Sequence, residues 1–234
     1  EYPDQQDNDG HWGIWDQPFL QFYARDLSKE QQPFMSCVFT LSSHHPYELK
    51  PDDAARFKGG PQPIHRTLQY TDDALRQFFA TASAQPWFSN TLFVITADHT
   101  ADIDRNGQHY TEATDYWVPL LYYMPSAVTP MQVARITQHI DIVPTVLDVI
   151  GHGDPFFSFG SSALRDDRMA CTATHTTGAY LIIDQEGAQR FASHDLGGAK
   201  NPSSTVRAAL LEKQLMAAVQ QFNNHLLRNQ LVVK

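Results

Sequence analysis

Apolar and polar positions alternate along the first two thirds of the chain in blocks that predict strands separated by helices. Short apolar runs at residues 34–41, 92–95 and 117–125 have the length and composition of strands, and the last two have the pattern of buried ones. Between the first two runs, apolar residues at steps of three and four over residues 64–83 predict an amphipathic helix. A strand, a helix and a strand in this order indicate a parallel βαβ unit.

The last third of the chain has a different pattern. After a helix with Asp141 as N-cap, Pro144 in its first turn and Gly151 after its end, three short strands are predicted at residues 169–176, 179–184 and 189–192. Residues 196–204 read as a linker, and a final helix follows with Ser204 or Thr205 as its predicted cap. We therefore predict two domains, residues 1–165 and residues 166–234, the second a small antiparallel β-hairpin with a C-terminal helix.

Composition and charge restrict the class of protein. The chain has 234 residues, 42% of them hydrophobic and 18% charged, which is typical of a globular protein. A formal net charge of −9 without Lys/Arg clusters argues against nucleic acid as a partner. No apolar run approaches the length that spans a bilayer. Of the two cysteines, Cys37 lies in an apolar run and is expected to be buried, and neither Cys37 nor Cys171 has the spacing of a metal site.

Titratable residues follow two of the predicted strands. Asp98 and His99 come directly after the second strand, and His44 and His45 follow the first. Ligands bind at the carboxyl ends of the strands in open α/β sheets, and carboxylate and imidazole are ordinary ligands of divalent metals. The alternative is structural: Asp98 caps the next segment, and the histidines lie in a surface loop. Asp16 precedes an apolar-periodic stretch and is predicted to be a helix N-cap with no catalytic role.

Several of these segments, in this order, resemble one family. They are residues 12–16, 40–47, 70–75, 97–99, 118–122, 140–147 and 159–164. Together they are similar to the sulfatase and phosphoglycerol-transferase branch of the alkaline phosphatase superfamily, and most of all to lipoteichoic acid synthase-like enzymes. The resemblance implies an alkaline phosphatase-like α/β fold, in which a mostly parallel sheet is sandwiched by helices and this chain forms the C-terminal part.

The resemblance also implies roles for three residues. Asp98 and His99 match two ligands of the catalytic divalent ion, with manganese or magnesium expected and zinc or calcium as further candidates. His44 matches the histidine that contacts the head group of the substrate, whereas His45 falls on a variable position. The family nucleophile is a threonine, or a formylglycine made from cysteine or serine in true sulfatases, and it is expected upstream of this chain. The chain alone is therefore expected to be inactive.

The implied activity belongs to the intact protein. It is a metal-dependent transfer or hydrolysis of a phospholipid head group or another phosphate or sulfate ester, in an extracytoplasmic domain, periplasmic or at the cell surface, of a membrane-anchored protein. The missing N-terminal part of the same domain is the expected partner of this chain. Two alternatives stay open: a sulfatase that hydrolyses sulfate esters, and a non-catalytic lipid-sensing protein on the same fold.

Overall fold

The computed structural model of the protein describes residues 2–101, 103, 110–127, 130–165, 171–193 and 205–232. The helices in these ranges are α1 (Asp16–Asp26), α2 (Pro51–Arg56), α3 (Ile64–Ala82), α4 (Ile142–Val149) and α5 (Val206–Leu227). The strands are β1 (Phe93–Thr96), β2 (Leu120–Tyr123), β3 (Cys171–Thr176), β4 (Ala179–Asp184) and β5 (Gly187–Ala192). β1 and β2 form a two-stranded sheet, and β3, β4 and β5 form a three-stranded sheet in that order.

Contacts along the chain define two compact units. The first comprises Glu1–Phe93, Ala101–Asp104 and Tyr122–Val128, and the second comprises Val94–Thr100, Arg105–Leu121 and Thr129–Lys234. The predicted domain boundary at residue 165 stays a prediction.

The core of the first unit is the contact between α1 and α3. Leu20 and Ala24 of α1 cluster with Ala74, Phe78 and Ala82 of α3, and all five are buried. Alanine has a small side chain, so the fully buried alanines on both helices allow the two backbones to approach closely, and the larger side chains of Leu20 and Phe78 fill the contact. The helix predicted over residues 64–83 is confirmed as α3.

Residues 34–41 belong to none of the strands in the described part of the chain, so a strand there was a wrong prediction. Phe34 and Val38 pack against the core of the first unit, whereas Met35 is 96% exposed. Cys37 is exposed as well, which corrects the expectation that its thiol is buried. The apolar pattern indicated where side chains pack. A strand also needs a hydrogen-bonded neighbour, and composition carries no information about that.

β1 and β2 confirm the two other predicted strands of this region, but neither is buried on both faces. In β2, Leu120 and Tyr122 are half-buried, whereas Leu121 is 52% exposed and Tyr123 is exposed too. Side chains alternate between the faces of a strand, so one face of β2 is covered and the other is open. The expectation of a buried strand is therefore wrong for β2. In β1, expected to be buried on both faces, the first three residues are only half-buried and Thr96 is exposed.

The three-stranded sheet and α5 form a core of the second unit. The strands are antiparallel, as the hairpin signals predicted. Ile182 packs with Leu211 and Leu215 of α5, while Leu181 and Ile183 on the other face of β4 enter a separate cluster. This is the period-two burial of a strand covered on both sides. The predicted residues 169–170 of β3 and the predicted linker at residues 196–204 lie outside the described residues.

The N-caps of α4 and α5 lie at the positions that the sequence predicts. Thr205 is the N-cap of α5, and its hydroxyl accepts a hydrogen bond from the Ala208 amide at 3.1 Å. Asp141 is the N-cap of α4, and Gly151 follows that helix with φ of +71°, a conformation that glycine adopts without strain. The Asp141 carboxylate makes no hydrogen bond to the amides of α4. The carboxylate accepts hydrogen bonds from the Gln138 and Ser161 amides instead.

The end of α4 is tied to the segment that follows it by Asp148. Its carboxylate accepts hydrogen bonds from the Arg165 guanidinium at 2.7 Å and the Ser162 hydroxyl at 2.6 Å. These two donors, Arg165 first, lower the pKa of Asp148 to about 2.

This lowered pKa predicts an acid-dependent loss of stability. A depressed folded-state pKa contributes stability above the unfolded value of about 3.9, and that contribution disappears as the pH falls towards 2. We expect wild type to be more stable than Asp148→Asn at pH 5, and the difference to shrink between pH 4 and pH 2. Urea unfolding of both proteins at each pH measures this, with exposed Asp154→Asn as the control. If the difference in unfolding free energy between wild type and Asp148→Asn is independent of pH, the lowered pKa of Asp148 is not its cause.

Candidate active site

The turn after β1 brings Asp98 and His99 together. Asp98 Oδ2 and His99 Nε2 are 3.4 Å apart, and Asp98 Oδ1 accepts a hydrogen bond from the His99 amide at 2.9 Å. The backbone has left the strand at Thr96, so neighbouring side chains are no longer forced to opposite faces. Both side chains are open to solvent, 54% exposed for Asp98 and 69% for His99. The pair is thus available to an external group.

A hydrogen bond at Nδ1 shows which ring nitrogen of His99 carries a hydrogen. His99 Nδ1 lies 2.7 Å from the Thr100 carbonyl oxygen, which only accepts, so Nδ1 carries a hydrogen. Nε2 therefore presents either a lone pair or a second proton to the Asp98 carboxylate. A lone pair facing a carboxylate oxygen is repulsive unless a cation lies between them.

The spacing of Asp98 and His99 suits a divalent metal. Two ligands on one ion at about 2.1 Å and at angles of 90–110° lie about 3.0–3.4 Å apart, and the Asp98–His99 separation of 3.4 Å falls in that range. The hydrogen bond from Nδ1 to a backbone carbonyl is the usual arrangement that orients a metal-binding imidazole. The two residues fit a metal. Among the described residues, no group of three or more His, Cys, Asp or Glu side chains is arranged to hold one.

The backbone just before Asp98 is held by contacts that the sequence did not indicate. His139 Nε2 lies 2.9 Å from the Ala97 carbonyl oxygen. Thr96 donates its hydroxyl to the Pro119 carbonyl at 2.8 Å. After the turn, the Thr100 hydroxyl donates to the Asp115 carbonyl at 2.6 Å. Hydrogen bonds on both sides fix the path of the turn.

His44 belongs to the first unit, and its ring is oriented by two neighbours. Its Nδ1 lies 2.9 Å from the His45 carbonyl oxygen, which also accepts a hydrogen bond from Trp12 Nε1 at 2.8 Å. The rings of Trp12 and His44 pack with their centroids 4.4 Å apart. Because Nδ1 must donate to the carbonyl, Nε2 is the nitrogen of His44 that remains for a ligand. Trp12 had no predicted role, and its ring supports this imidazole.

Asp16 fixes the chain just before His44. Its carboxylate is 0% exposed and accepts hydrogen bonds from the Leu41 and Ser42 amides, both at 3.0 Å, and from the Thr71 hydroxyl at 2.7 Å. The N-cap of α1 is Trp15, and Asp16 is the first residue of the helix. The predicted N-cap role was therefore wrong, because the carboxylate pairs with distant residues rather than with the amides of its own helix.

The chain belongs to the sulfatase family. A model of the family named Sulfatase matches residues 1–152, which is more than half of the chain. The lipoteichoic acid synthase-like protein YvgJ of Bacillus subtilis is 27% identical over 196 residues, covering 74% of this chain and 31% of that protein. Phosphoglycerol transferase I of Citrobacter koseri is 28% identical over 162 residues, covering 65% of this chain and 21% of that protein.

A solved structure confirms the predicted fold class. A crystal structure of an alkaline phosphatase superfamily protein from Vibrio parahaemolyticus matches 96% of this chain and 57% of that chain, with a TM-score of 0.72 and 21% identity. This chain thus has the alkaline phosphatase-like α/β fold. It spans only 31% and 21% of the lengths of the two curated relatives above. In the part of the chain that the structure describes, no helix is both long and apolar enough to cross a membrane.

Proposed function

We propose that this chain is part of a metal-dependent phosphoglycerol transferase of the sulfatase family. The observation that carries the proposal is the Asp98–His99 turn, where a carboxylate and a tautomer-fixed imidazole face each other across 3.4 Å. The relatives named as lipoteichoic acid synthase-like and phosphoglycerol transferase I support phosphoglycerol transfer as the reaction class. The substrate is a phospholipid head group or a related phosphate ester.

In this proposal Asp98 and His99 hold one divalent ion, manganese or magnesium in the first place, with zinc or calcium as further candidates. When bound, the ion neutralises negative charge on the transferring group and lowers the pKa of a nucleophile. Asp98 supplies the negative charge that retains a cation, and the Thr100 carbonyl keeps Nδ1 of His99 protonated so that Nε2 is the ligand atom.

His44 contacts the phosphate of the head group in the same proposal. Trp12 and the His45 carbonyl hold its ring, which leaves Nε2 as a hydrogen-bond donor to a non-bridging oxygen. A donor fixed in advance stabilises charge without reorganising during the reaction. This role requires Nε2 to carry a hydrogen while Nδ1 donates to the carbonyl, which is the doubly protonated imidazole.

The other parts of the site are assigned to segments of the same protein outside this chain. They are the nucleophile, a further acidic metal ligand and the remaining head-group contacts. We propose that the complete protein is membrane-anchored and acts outside the cytoplasm, where its lipid donor is accessible. The small share of each relative that this chain covers supports a larger catalytic domain.

The experiment that tests the function supplies the full-length protein with Mn²⁺ and vesicles of phosphatidylglycerol. We expect release of diacylglycerol and loss of that release on adding EDTA. His44→Gln is expected to lower turnover about 10²-fold, the effect typical of losing one preorganised donor to the reacting group. His45→Gln is the matched control, since the His45 side chain has no assigned role, and it should leave turnover unchanged.

Other outcomes would replace the proposal. Hydrolysis of an aryl sulfate without diacylglycerol release would make the protein a sulfatase. Absence of both activities together with absence of stoichiometric metal would favour the non-catalytic lipid sensor. Equal turnover by the two histidine variants would remove His44 from the site.

A further inference from the structure

We infer that His139 is a positioning residue, which holds the Asp98–His99 turn in the geometry that binds metal. This inference rests on the proposed function of that turn. Nothing in the local sequence around His139 indicates such a role, because it precedes a helix whose signals are structural.

The contact is between a side chain and the backbone of the turn. His139 Nε2 lies 2.9 Å from the Ala97 carbonyl oxygen, and that oxygen can only accept, so Nε2 donates. Ala97 is the residue immediately before Asp98. The Thr96 hydroxyl is 3.3 Å from the same nitrogen, so the imidazole meets the chain where β1 ends and the turn begins.

The segment that carries His139 is itself fixed. It forms a short 3-10 helix, His139–Asp141, and the fully buried Asp141 carboxylate accepts hydrogen bonds from the Gln138 amide at 3.0 Å and the Ser161 amide at 2.9 Å. Gly160 lies so close to the Ile140 carbonyl that a Cβ there would collide with it. His139 therefore projects from a rigid support.

A rigid donor at the Ala97 carbonyl restricts rotation of the peptide that enters Asp98. The separation of Asp98 Oδ2 and His99 Nε2 depends on the backbone angles of two consecutive residues, and both side chains are largely exposed, with little packing to restrain them. The hydrogen bonds that flank the turn thus determine how often the two ligand atoms face one ion. Loss of a supporting hydrogen bond in a metal site typically costs 10–100-fold in affinity.

The test measures Mn²⁺ affinity of the full-length protein by electron paramagnetic resonance of free Mn²⁺, and backbone hydrogen exchange of the metal-free protein over residues 94–101. We expect His139→Ala to weaken Mn²⁺ binding 10–100-fold and to speed exchange in this segment at least threefold. His139→Gln retains an amide donor of similar reach and should restore both to within about threefold of wild type. His152→Ala removes another exposed histidine of the second unit and should change neither.

The two measurements separate this inference from the proposed function. Wild type that binds no Mn²⁺ would overturn the metal site, and hydrogen exchange of His139→Ala would still decide whether His139 restrains the turn. Unchanged exchange in His139→Ala, or unchanged Mn²⁺ affinity when wild type binds, would overturn the inference. Equal losses in His139→Gln and His139→Ala would also overturn it, because a hydrogen-bond donor would then not be what matters.

Discussion

Asp98→Ala is expected to abolish tight Mn²⁺ binding by the full-length protein and to lower transferase turnover about a thousandfold. A metal ion contributes several kcal/mol of charge stabilisation in the transition state, and about 1.4 kcal/mol corresponds to a factor of ten in rate. Asp98 supplies the only carboxylate of the turn after β1, residues 97–100. Without it this turn offers the cation one imidazole and no negative charge.

The fold should survive this substitution, which makes the result interpretable. The Asp98 side chain is 54% exposed, and its hydrogen bond is to the amide of the adjacent residue. Exposed substitutions of this kind usually change stability by no more than about 0.5 kcal/mol. Isothermal titration with Mn²⁺ and thermal unfolding without metal measure the two effects, and exposed Asp154→Ala is the matched control. Unchanged Mn²⁺ affinity in Asp98→Ala would remove this residue from the metal site.

Elements whose signals are local could be predicted from the sequence. The period of α3 over residues 64–83, the strand at residues 179–184 and the cap of α5 are each encoded within a short continuous stretch of sequence, and the structure has all three. The strand predicted at residues 34–41 was wrong because pairing with another strand is not a local property. The same apolar composition serves a segment in which Phe34 and Val38 pack against the core of the first unit.

In the candidate site, too, local features could be predicted from the sequence and contacts between distant residues could not. Asp98 and His99 are sequence neighbours after a predicted strand, so the sequence could place the pair. Their metal role was implied by the resemblance to the family, because the two residue types alone fit a structural turn equally, and it remains a proposal. His139 lies 42 residues from Ala97 and contacts its backbone carbonyl. Every residue has such a carbonyl, so the residue type of Ala97 gives no sign of the contact. Asp16 was identified as structural, but its partners were expected in α1 and lie 25, 26 and 55 residues away.

Asp16→Ala is expected to destabilise the protein by about 3 kcal/mol, which is about 6–12 °C in melting temperature for a chain of this size. The substitution removes the acceptor of three hydrogen bonds at a fully buried position. The Ser42 amide is buried and would be left without this partner, while the Leu41 amide and the Thr71 hydroxyl are partly accessible and can recruit water. The loss of a negative charge at the first residue of α1 adds to the cost.

A double-mutant cycle with Thr71→Ala tests whether the carboxylate acts through these contacts. Residues joined by a hydrogen bond typically show coupling energies of about 0.5–3 kcal/mol, so the double variant should be less destabilised than the sum of the single variants. Asp72→Ala on the exposed face of α3 is the control, with an expected change within about 0.5 kcal/mol. A loss below about 1 kcal/mol for Asp16→Ala would show that the buried carboxylate is not what fixes Leu41 and Ser42. The His44 amide donates to the Leu41 carbonyl at 3.0 Å, so the same variant should also weaken the head-group contact that we propose for His44.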